Sequence, residues 1–198
     1  MNKFLESSEY VDYEDESIVR TAKELFKNCI SDIDKTKTAF EFVRDKIPHS
    51  FDIKAKAVTA KASDVLKNKT GICHAKANLL AALLRSQGIM TGFCFQCLTL
   101  ADDDSMGYCI HGYNAVFLNE HWIKLDARGN KEGVNAQFSL DKPILAFYPR
   151  EKYDEYYVKG IFANPDPGMM KVLEDAENIQ YVIDNIPDKV TQVPDIIE

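Results

Sequence analysis

Apolar residues in the first part of the chain recur at intervals of three and four, a spacing that places them on one face of an α-helix. A first helix is predicted over 18–29, with Ser17 as its N-cap. Its inward positions are Ile18, Val19, Ala22, Leu25, Phe26 and Cys29. A second helix is predicted from about Lys35 to Ile47, where Pro48 ends it.

The most strongly apolar helix is predicted near the middle of the chain. A short helix over 63–69, capped by Ser63, precedes it, and Gly71 separates the two. The sequence that follows is ICHAKANLLAALLRSQG, which is rich in Ala and Leu and has Arg85 in its last turn and Gly88 as its stop. Because this helix is apolar around most of its circumference, we expect it to be central and buried.

After this helix the pattern changes to aromatic and β-branched residues, which favour strands. Strands are predicted over 90–100, 108–118 and 121–126, with a loop over 101–107 and a tight turn at Asn119-Glu120. A further helix is predicted over 169–176, beginning near Pro167. Helices first and antiparallel strands later indicate an α+β fold.

Composition and charge narrow the class of protein. Hydrophobic residues make up 45% of the 198 residues, enough for one domain, with a helical part (1–88), a sheet part (89–150) and a C-terminal extension (151–198). The net charge of -7 argues against a nucleic-acid partner. The chain has neither a signal-peptide pattern nor a run of roughly 20 apolar residues, so we expect a soluble cytoplasmic protein without membrane contact. Oligomeric state stays open.

Cys73 is the cysteine best placed for chemistry. The chain has five cysteines, and an odd number without a secretion signal argues against a disulfide framework. Cys73 stands where the central helix begins, so the helix dipole and the unpaired backbone N–H groups favour its thiolate. The same N–H groups can donate to an oxyanion. The alternative is that Cys73 is simply a small buried hydrophobe.

The spacing of His111 and Asp126 matches a pair on a hairpin. If Leu118 and His121 flank the turn, residues facing each other across the hairpin have numbers that sum to 239. Asp126 then lies opposite Tyr113, and His111 is its diagonal neighbour on the same face. Such diagonals are roughly 7–8 Å apart, within reach of an imidazole and a carboxylate. The alternative for His111 is an ordinary strand histidine, and the alternative for Asp126 is a residue at a strand end that caps a turn. Taken singly, each alternative is the simpler interpretation.

The two segments together resemble the transglutaminase-like superfamily over about Ala62 to Asn130. The first is GICHAKANLLAALLRSQGI, a Gly, a variable residue and the Cys before an Ala/Leu-rich helix ending in Gly-Ile. The second is CIHGYNAVFLNEHWIKLDARGN, a strand His, a turn with an aromatic residue and then Leu-Asp. The resemblance implies a papain-like α+β fold with the Cys-bearing helix packed on an antiparallel sheet. It implies Cys73 as nucleophile, His111 as base and Asp126 as the residue that orients the base.

The sequence departs from the family pattern beside the site. Gly112 follows His111, where many members have an aromatic residue, and 127–130 reads Ala-Arg-Gly-Asn, where many have Pro-Thr. These differences leave the three catalytic positions in place and leave the substrate class open.

Two further residues are candidates for binding roles. The family's second oxyanion donor is a polar or aromatic side chain before the Cys helix, and His49 is the candidate here, with a structural loop histidine as the alternative. Arg128 could bind a substrate carboxylate bidentately. An Arg that anchors a surface loop is the slightly favoured alternative.

The expected activity is acyl transfer through a thioester, with water as the acceptor of a peptide or other amide substrate. Transamidation and a non-catalytic binding domain are the alternatives. A zinc site is a third, with possible ligands Cys73, His74, Cys94, Cys97, Cys109, His111 and His121. Because Cys94 and Cys97 are three apart in a strand, they point to opposite faces, so no metal is expected. The chemistry requires no cofactor, and no EF-hand type calcium loop is present.

Overall fold

The computed structural model describes residues 2–101 and 103–197, and within them the chain forms six α-helices and one four-stranded antiparallel sheet. This is the α+β fold that the hydrophobic pattern predicts. The elements are α1 (Glu16–Leu25), α2 (Asp32–Lys46), α3 (Ala62–Asn68), α4 (Cys73–Arg85), β1 (Thr91–Thr99), β2 (Tyr108–Leu118), β3 (His121–Leu125), β4 (Tyr156–Tyr157), α5 (Pro167–Asp175) and α6 (Ile179–Asn185).

The first helix differs from the prediction at both ends. Its N-cap is Asp15, whose Oδ1 accepts the backbone N–H of Ser17 at 2.8 Å, so the predicted cap Ser17 lies inside the first turn. The helix ends at Leu25, four residues early, although Phe26 and Cys29 still pack against the core from the following turn. The apolar pattern therefore continues past the end of the hydrogen-bonded helix.

The next two helices also begin earlier than the sequence predicts. α2 begins at Asp32 with Ser31 as its N-cap, three residues before the predicted start. Three of the four residues in its first turn are charged and Ile33 is the fourth, so the apolar pattern there is weak. α3 begins at Ala62, and Ser63 is not its cap. Both the backbone N–H and the hydroxyl of Ser63 donate instead to the carboxylate of Asp12, at 3.1 and 2.5 Å.

The central helix α4 is buried along its whole length, as predicted. It packs against α2 and α3 on one side and against β2 and β1 on the other. Three long polar side chains, Lys76, Asn78 and Arg85, are buried with it. Each of them donates hydrogen bonds to backbone carbonyls of neighbouring segments, which offsets the cost of removing these groups from water.

The sheet has the order β3-β2-β1-β4, and its hairpin has the predicted register. Leu118 pairs with His121 and Asn114 pairs with Leu125, so facing numbers sum to 239. The two turn residues have positive φ angles, 50° and 67°, as in a type I′ turn. Because β3 ends at Leu125, the half of β2 that carries His111 has no strand partner on that side.

The C-terminal part adds elements that the pattern does not predict. β4 pairs with Gln96 and Cys97 of β1, and α6 follows α5. α5 begins with Pro167 at its first position, as predicted, although it ends one residue earlier. After α6 the chain returns to the open side of β2, where the backbone N–H of Ile110 donates to the carbonyl of Pro187 at 2.8 Å.

The acidic stretch predicted as a loop over 101–107 contains one short 3-10 turn, Asp104–Met106, and Asp102 lies outside the described residues. Among the helices that the structure describes, none is both long enough and apolar enough to cross a membrane.

Candidate active site

Cys73 is the first residue of α4 and is 8% exposed. The residue before it, Ile72, is the N-cap, and among the described residues no side chain caps this helix. The backbone N–H of Cys73 donates to Nε2 of His49 at 3.1 Å. The N-terminal end of the helix, with its partial positive charge, is therefore directed at the thiol and its imidazole neighbours.

His111 and Asp126 meet as the hairpin register predicts. Nε2 of His111 lies 2.8 Å from Oδ2 of Asp126, and both side chains are almost fully buried. The His111 ring is also close enough to the Cys73 thiol for the two groups to shift each other's pKa. Because Nε2 bonds the carboxylate, Nδ1 is the ring nitrogen that remains for the thiol. His111 therefore lies between the sulfur and the carboxylate.

Asp126 is held by backbone donors on both oxygens. Its Oδ1 accepts the N–H of Arg128 at 3.1 Å, and its Oδ2 accepts the N–H of Ala146 at 3.0 Å as well as the His111 ring. Such contacts stabilise an ionised carboxylate and fix its orientation. Asp126 can in turn fix the tautomer and the orientation of the imidazole.

The electrostatic surroundings move the pKa values of the thiol and of the imidazole in opposite directions. Burial raises the pKa of Cys73, but the nearby His74 and His111 and hydrogen bonds from His111 and His49 outweigh it, and the pKa falls well below its usual value. Burial lowers the pKa of His111, but the charges of Asp126 and Cys73 outweigh it and raise the pKa to about 10. Both directions favour a thiolate–imidazolium pair at neutral pH.

His49 lies beside the nucleophile because its loop pairs with the segment before α4. His49 forms a parallel bridge with Gly71, two residues before Cys73. Its Nδ1 lies 3.3 Å from the backbone N–H of Phe51. A neutral imidazole accepts at one nitrogen only, so the N–H groups of Phe51 and Cys73 compete for the ring. The contact from Cys73 to Nε2 is the shorter one, 3.1 Å against 3.3 Å, and the tautomer that accepts it carries its proton on Nδ1. Burial lowers the pKa of His49, which favours this neutral form.

These side chains open onto a cleft of about 700 Å³. Its walls include Phe51, Leu98 and Phe147, and the Phe147 ring stands perpendicular to the His111 ring at 5.2 Å. A larger groove of about 1350 Å³ lies between α1, α2 and α3, but none of the predicted catalytic residues lines it. We therefore assign the chemistry to the smaller cleft.

Arg128 also lines the cleft, but its guanidinium is already paired. Its two terminal nitrogens donate to the carboxylate of Asp52 at 2.5 and 2.9 Å, and Lys131 donates to the same carboxylate at 2.8 Å. Burial raises the pKa of Asp52, but the two cations outweigh it and hold that pKa at about 2. A substrate carboxylate could use the same donors only by displacing Asp52. The contacts match a loop anchor, and the substrate-binding role of Arg128 stays a prediction.

The cysteines of the zinc alternative are not gathered around one point. In β1, Cys94 lies next to the carbonyl of Gly160 and Cys97 next to that of Asp188. Within residues 2–101 and 103–197, no group of three or more His, Cys, Asp or Glu side chains could hold a metal ion.

Of two buried polar residues in the first turn of α4, sequence reasoning considered His74 only as a possible zinc ligand and missed Lys76. His74 hydrogen-bonds the carbonyl of Ile110 at 3.0 Å. Lys76 donates to the carbonyl of Ile47, two residues before His49, and burial lowers its pKa to about 7. The available signal was the polar sequence CHAK at the start of an otherwise apolar helix.

Comparison with known proteins places the chain in a family. The family model of the transglutaminase-like superfamily matches residues 19–127, which contain Cys73, His111 and Asp126. Comparison with curated proteins finds no match. Among solved structures, the chain is similar to the crystal structure of a "putative cysteine protease" from Cytophaga hutchinsonii, with 18% identity, a TM-score of 0.48 and coverage of 63% of this chain. The aligned region spans 40% of that protein's chain. On the family match, the chain belongs to the transglutaminase-like superfamily.

Proposed function

We propose that this protein is a thiol acyl-transfer enzyme that hydrolyses amide or peptide bonds with Cys73, His111 and Asp126. The observation that carries the proposal is the position of the His111 ring, 2.8 Å from Asp126 and, with Cys73, on the wall of one cleft, where the ring lowers the pKa of the thiol. A nucleophile, a base and an orienting acid in this order are the parts that such chemistry needs. Membership of the superfamily supports thiol enzyme chemistry in general.

In the first half-reaction, the Cys73 sulfur attacks the substrate carbonyl carbon and the carbonyl π electrons move to oxygen. When the tetrahedral intermediate collapses, the C–N bond breaks and Nδ1–H of His111 gives its proton to the leaving amine. The product is a thioester on Cys73 and a neutral His111, still oriented by Asp126.

In the second half-reaction, His111 takes a proton from water and the resulting hydroxide equivalent attacks the thioester carbonyl. The C–S bond then breaks, the carboxylic acid leaves and the thiolate–imidazolium pair is restored. We favour water over an amine acceptor because water needs no second binding site.

The oxyanion of both intermediates needs donors that converge on one point. The backbone N–H of Cys73 and Nε2 of His49 lie 3.1 Å apart at the edge of the cleft. The Cys73 N–H donates to Nε2 in this structure, so both groups point at an oxyanion only when Nδ1 accepts from Phe51, Nε2 carries the proton and the Cys73 N–H turns to the substrate oxygen. In that arrangement both groups donate, and we assign the second oxyanion donor to His49.

Acylation by p-nitrophenyl acetate tests the proposal without a known substrate. Wild type should show a burst of p-nitrophenolate and gain one acetyl group in a mass spectrum, located on Cys73. The Cys73→Ala variant should show neither, and the matched control Cys29→Ser should behave like wild type, because the Cys29 thiol hydrogen-bonds Thr38 and does not line the cleft. A burst that persists in Cys73→Ala would refute the mechanism.

The acceptor is then identified on a peptide and amide library, with and without added amines. Release of free acid supports hydrolysis, whereas preferential transfer to the amine would replace hydrolysis by transamidation.

A further inference from the structure

His74, directly after the nucleophile, bridges the two halves of the site. Its ring is 2% exposed, and its Nε2 lies 3.0 Å from the carbonyl oxygen of Ile110. A carbonyl oxygen only accepts, so Nε2 carries the proton and donates. The Ile110 carbonyl belongs to the peptide bond that leads into His111. One hydrogen bond therefore joins the residue after Cys73 to the peptide unit before the base.

The ring of His74 also occupies the space directly over Gly112, where any other residue would have a side chain. A Cβ atom added to Gly112 would lie 2.6 Å from Nδ1 and 2.9 Å from Cε1 of His74. The ring also stacks on Phe95, the residue of β1 that pairs with Gly112, with centroids 5.9 Å apart. The glycine after His111, where many family members have an aromatic residue, is thus the position at which this sheet makes room for His74.

We propose that His74 is a positioning residue that sets the distance and orientation of Cys73 relative to His111. α4 and β2 carry these two groups, and β3 ends before His111 and leaves this side of β2 open. The His74 ring, held between Ile110 and Gly112, fixes the N-terminal end of α4 against this open side. The inference rests on the proposed function and adds to it.

The effect of His74 on the pKa of Cys73 also supports a role for His74 at the nucleophile. Among the groups that lower the pKa of Cys73 against the effect of burial, His74 comes first, followed by His111 and His49. The other titratable groups near the thiol are Lys76 and Cys109.

The competing explanation is that His74 is a satisfied core histidine that contributes only to stability. Three variants separate the two roles. His74→Phe fills the space over Gly112 but lacks the donor, His74→Gln restores an N–H donor at a comparable reach, and Gly112→Ala forces the intact ring to move. The matched control is His121→Phe, on the exposed start of β3.

The readouts are the rate of the p-nitrophenyl acetate burst and the pH dependence of Cys73 alkylation by iodoacetamide, on variants that a thermal melt shows to be folded. A displacement of the order of 1 Å costs about 100-fold in rate. We therefore expect His74→Phe and Gly112→Ala to slow the burst about 10- to 100-fold and to move the acid limb of alkylation to higher pH. We expect His74→Gln to recover most of the rate and His121→Phe to match wild type.

A double variant tests the steric coupling itself. Gly112→Ala added to His74→Ala should cost little more than His74→Ala alone, because the added Cβ then enters the space that the ring has left. If folded His74→Phe keeps the wild-type burst and alkylation profile, the positioning role is wrong while the proposed function stands. If wild type shows no Cys73-dependent burst, the proposed function itself fails.

Discussion

The two ends of α4 are both polar and buried, but they are held in different ways. At the C-terminal end, the guanidinium of Arg85 donates to the carbonyls of Thr91, Glu6 and Ala163, at distances between 2.5 and 3.0 Å. Every acceptor there is a neutral backbone oxygen. At the N-terminal end, the partners of Cys73 are imidazole rings that can gain or lose a proton.

The presence of titratable partners, and not burial, is the difference between the two buried polar clusters at the ends of α4. Burial of polar groups is common to both ends, so burial alone does not mark the site. Only at the N-terminal end do neighbouring titratable groups have pKa values shifted in opposite directions, as for the thiol of Cys73 and the ring of His111. The C-terminal end has the contacts of a structural anchor, whereas the N-terminal end has the shifted pair that the proposed acyl transfer requires.

The largest effect should come from Asp126→Asn. An amide keeps the shape but can no longer stabilise the imidazolium, and it favours the wrong tautomer of His111. We expect acylation by p-nitrophenyl acetate to slow by about 10³- to 10⁴-fold per folded molecule, with folding checked by a thermal melt. The exposed Asp175→Asn is the control, and equal rates in the two variants would remove Asp126 from the mechanism.

His49→Ala should have the next largest effect. Loss of one oxyanion donor costs about 10²- to 10³-fold in kcat. His49→Gln should recover part of this loss, because Gln can also present an N–H group beside the Cys73 N–H. Single-turnover acylation rates measure both variants. If His49→Ala acylates as fast as wild type, His49 is a structural loop histidine.

Arg85→Met should lower the stability of the fold at the C-terminal end of α4 without changing the acylation rate. The variant leaves three buried carbonyls without their donor, and we expect the free energy of unfolding to fall by about 3 kcal/mol. Urea denaturation measures this fall, with the exposed Arg20→Met within about 0.5 kcal/mol of wild type as control. The acylation rate per folded molecule should be unchanged. A large drop in that rate would mean that the two ends are not independent.

The smallest effect concerns Lys76, whose pKa burial lowers to about 7. Because an unfolded lysine titrates near 10.4, the unfolded chain binds more protons at this site between these values, and the Lys76 contribution makes the protein more stable as pH rises from about 7 to about 10. His111 acts in the opposite direction, since its raised pKa contributes stability that is lost as pH rises through about 10.

The difference between wild type and Lys76→Met isolates the Lys76 contribution. The free energy of unfolding of wild type, relative to the variant, should rise by about 1–2 kcal/mol between about pH 7 and pH 8.5, since one proton difference is worth about 1.4 kcal/mol per pH unit. Urea denaturation at several pH values measures this difference, and a pH-independent difference would show that Lys76 keeps an ordinary pKa.

Part of the site was predictable because strand pairing is regular. A known turn determines every facing pair of a hairpin, so the contact of His111 with Asp126 followed from residue numbers. The start of α4 at Cys73 followed from the glycine before it and the Ala/Leu run after it.

The rest depends on contacts between distant segments that have no local pattern. β4 is only two residues long, too short for an alternation to show. The ion pair of Arg128 with Asp52 joins two loops 76 residues apart. The role of His74 depends on where α4 crosses the sheet, which the order of elements alone does not determine.

The central claim is that Cys73 and His111 form a thiolate–imidazolium pair. Its most direct test is the rate of alkylation of each cysteine by iodoacetamide between about pH 4 and pH 10, followed by peptide mass spectrometry. Cys73 should react much faster than Cys29 at neutral pH and should stay reactive well below the ordinary thiol range, whereas His111→Ala should move the Cys73 profile to higher pH. If Cys73 reacts no faster than Cys29 at neutral pH, the pair does not exist and the account fails.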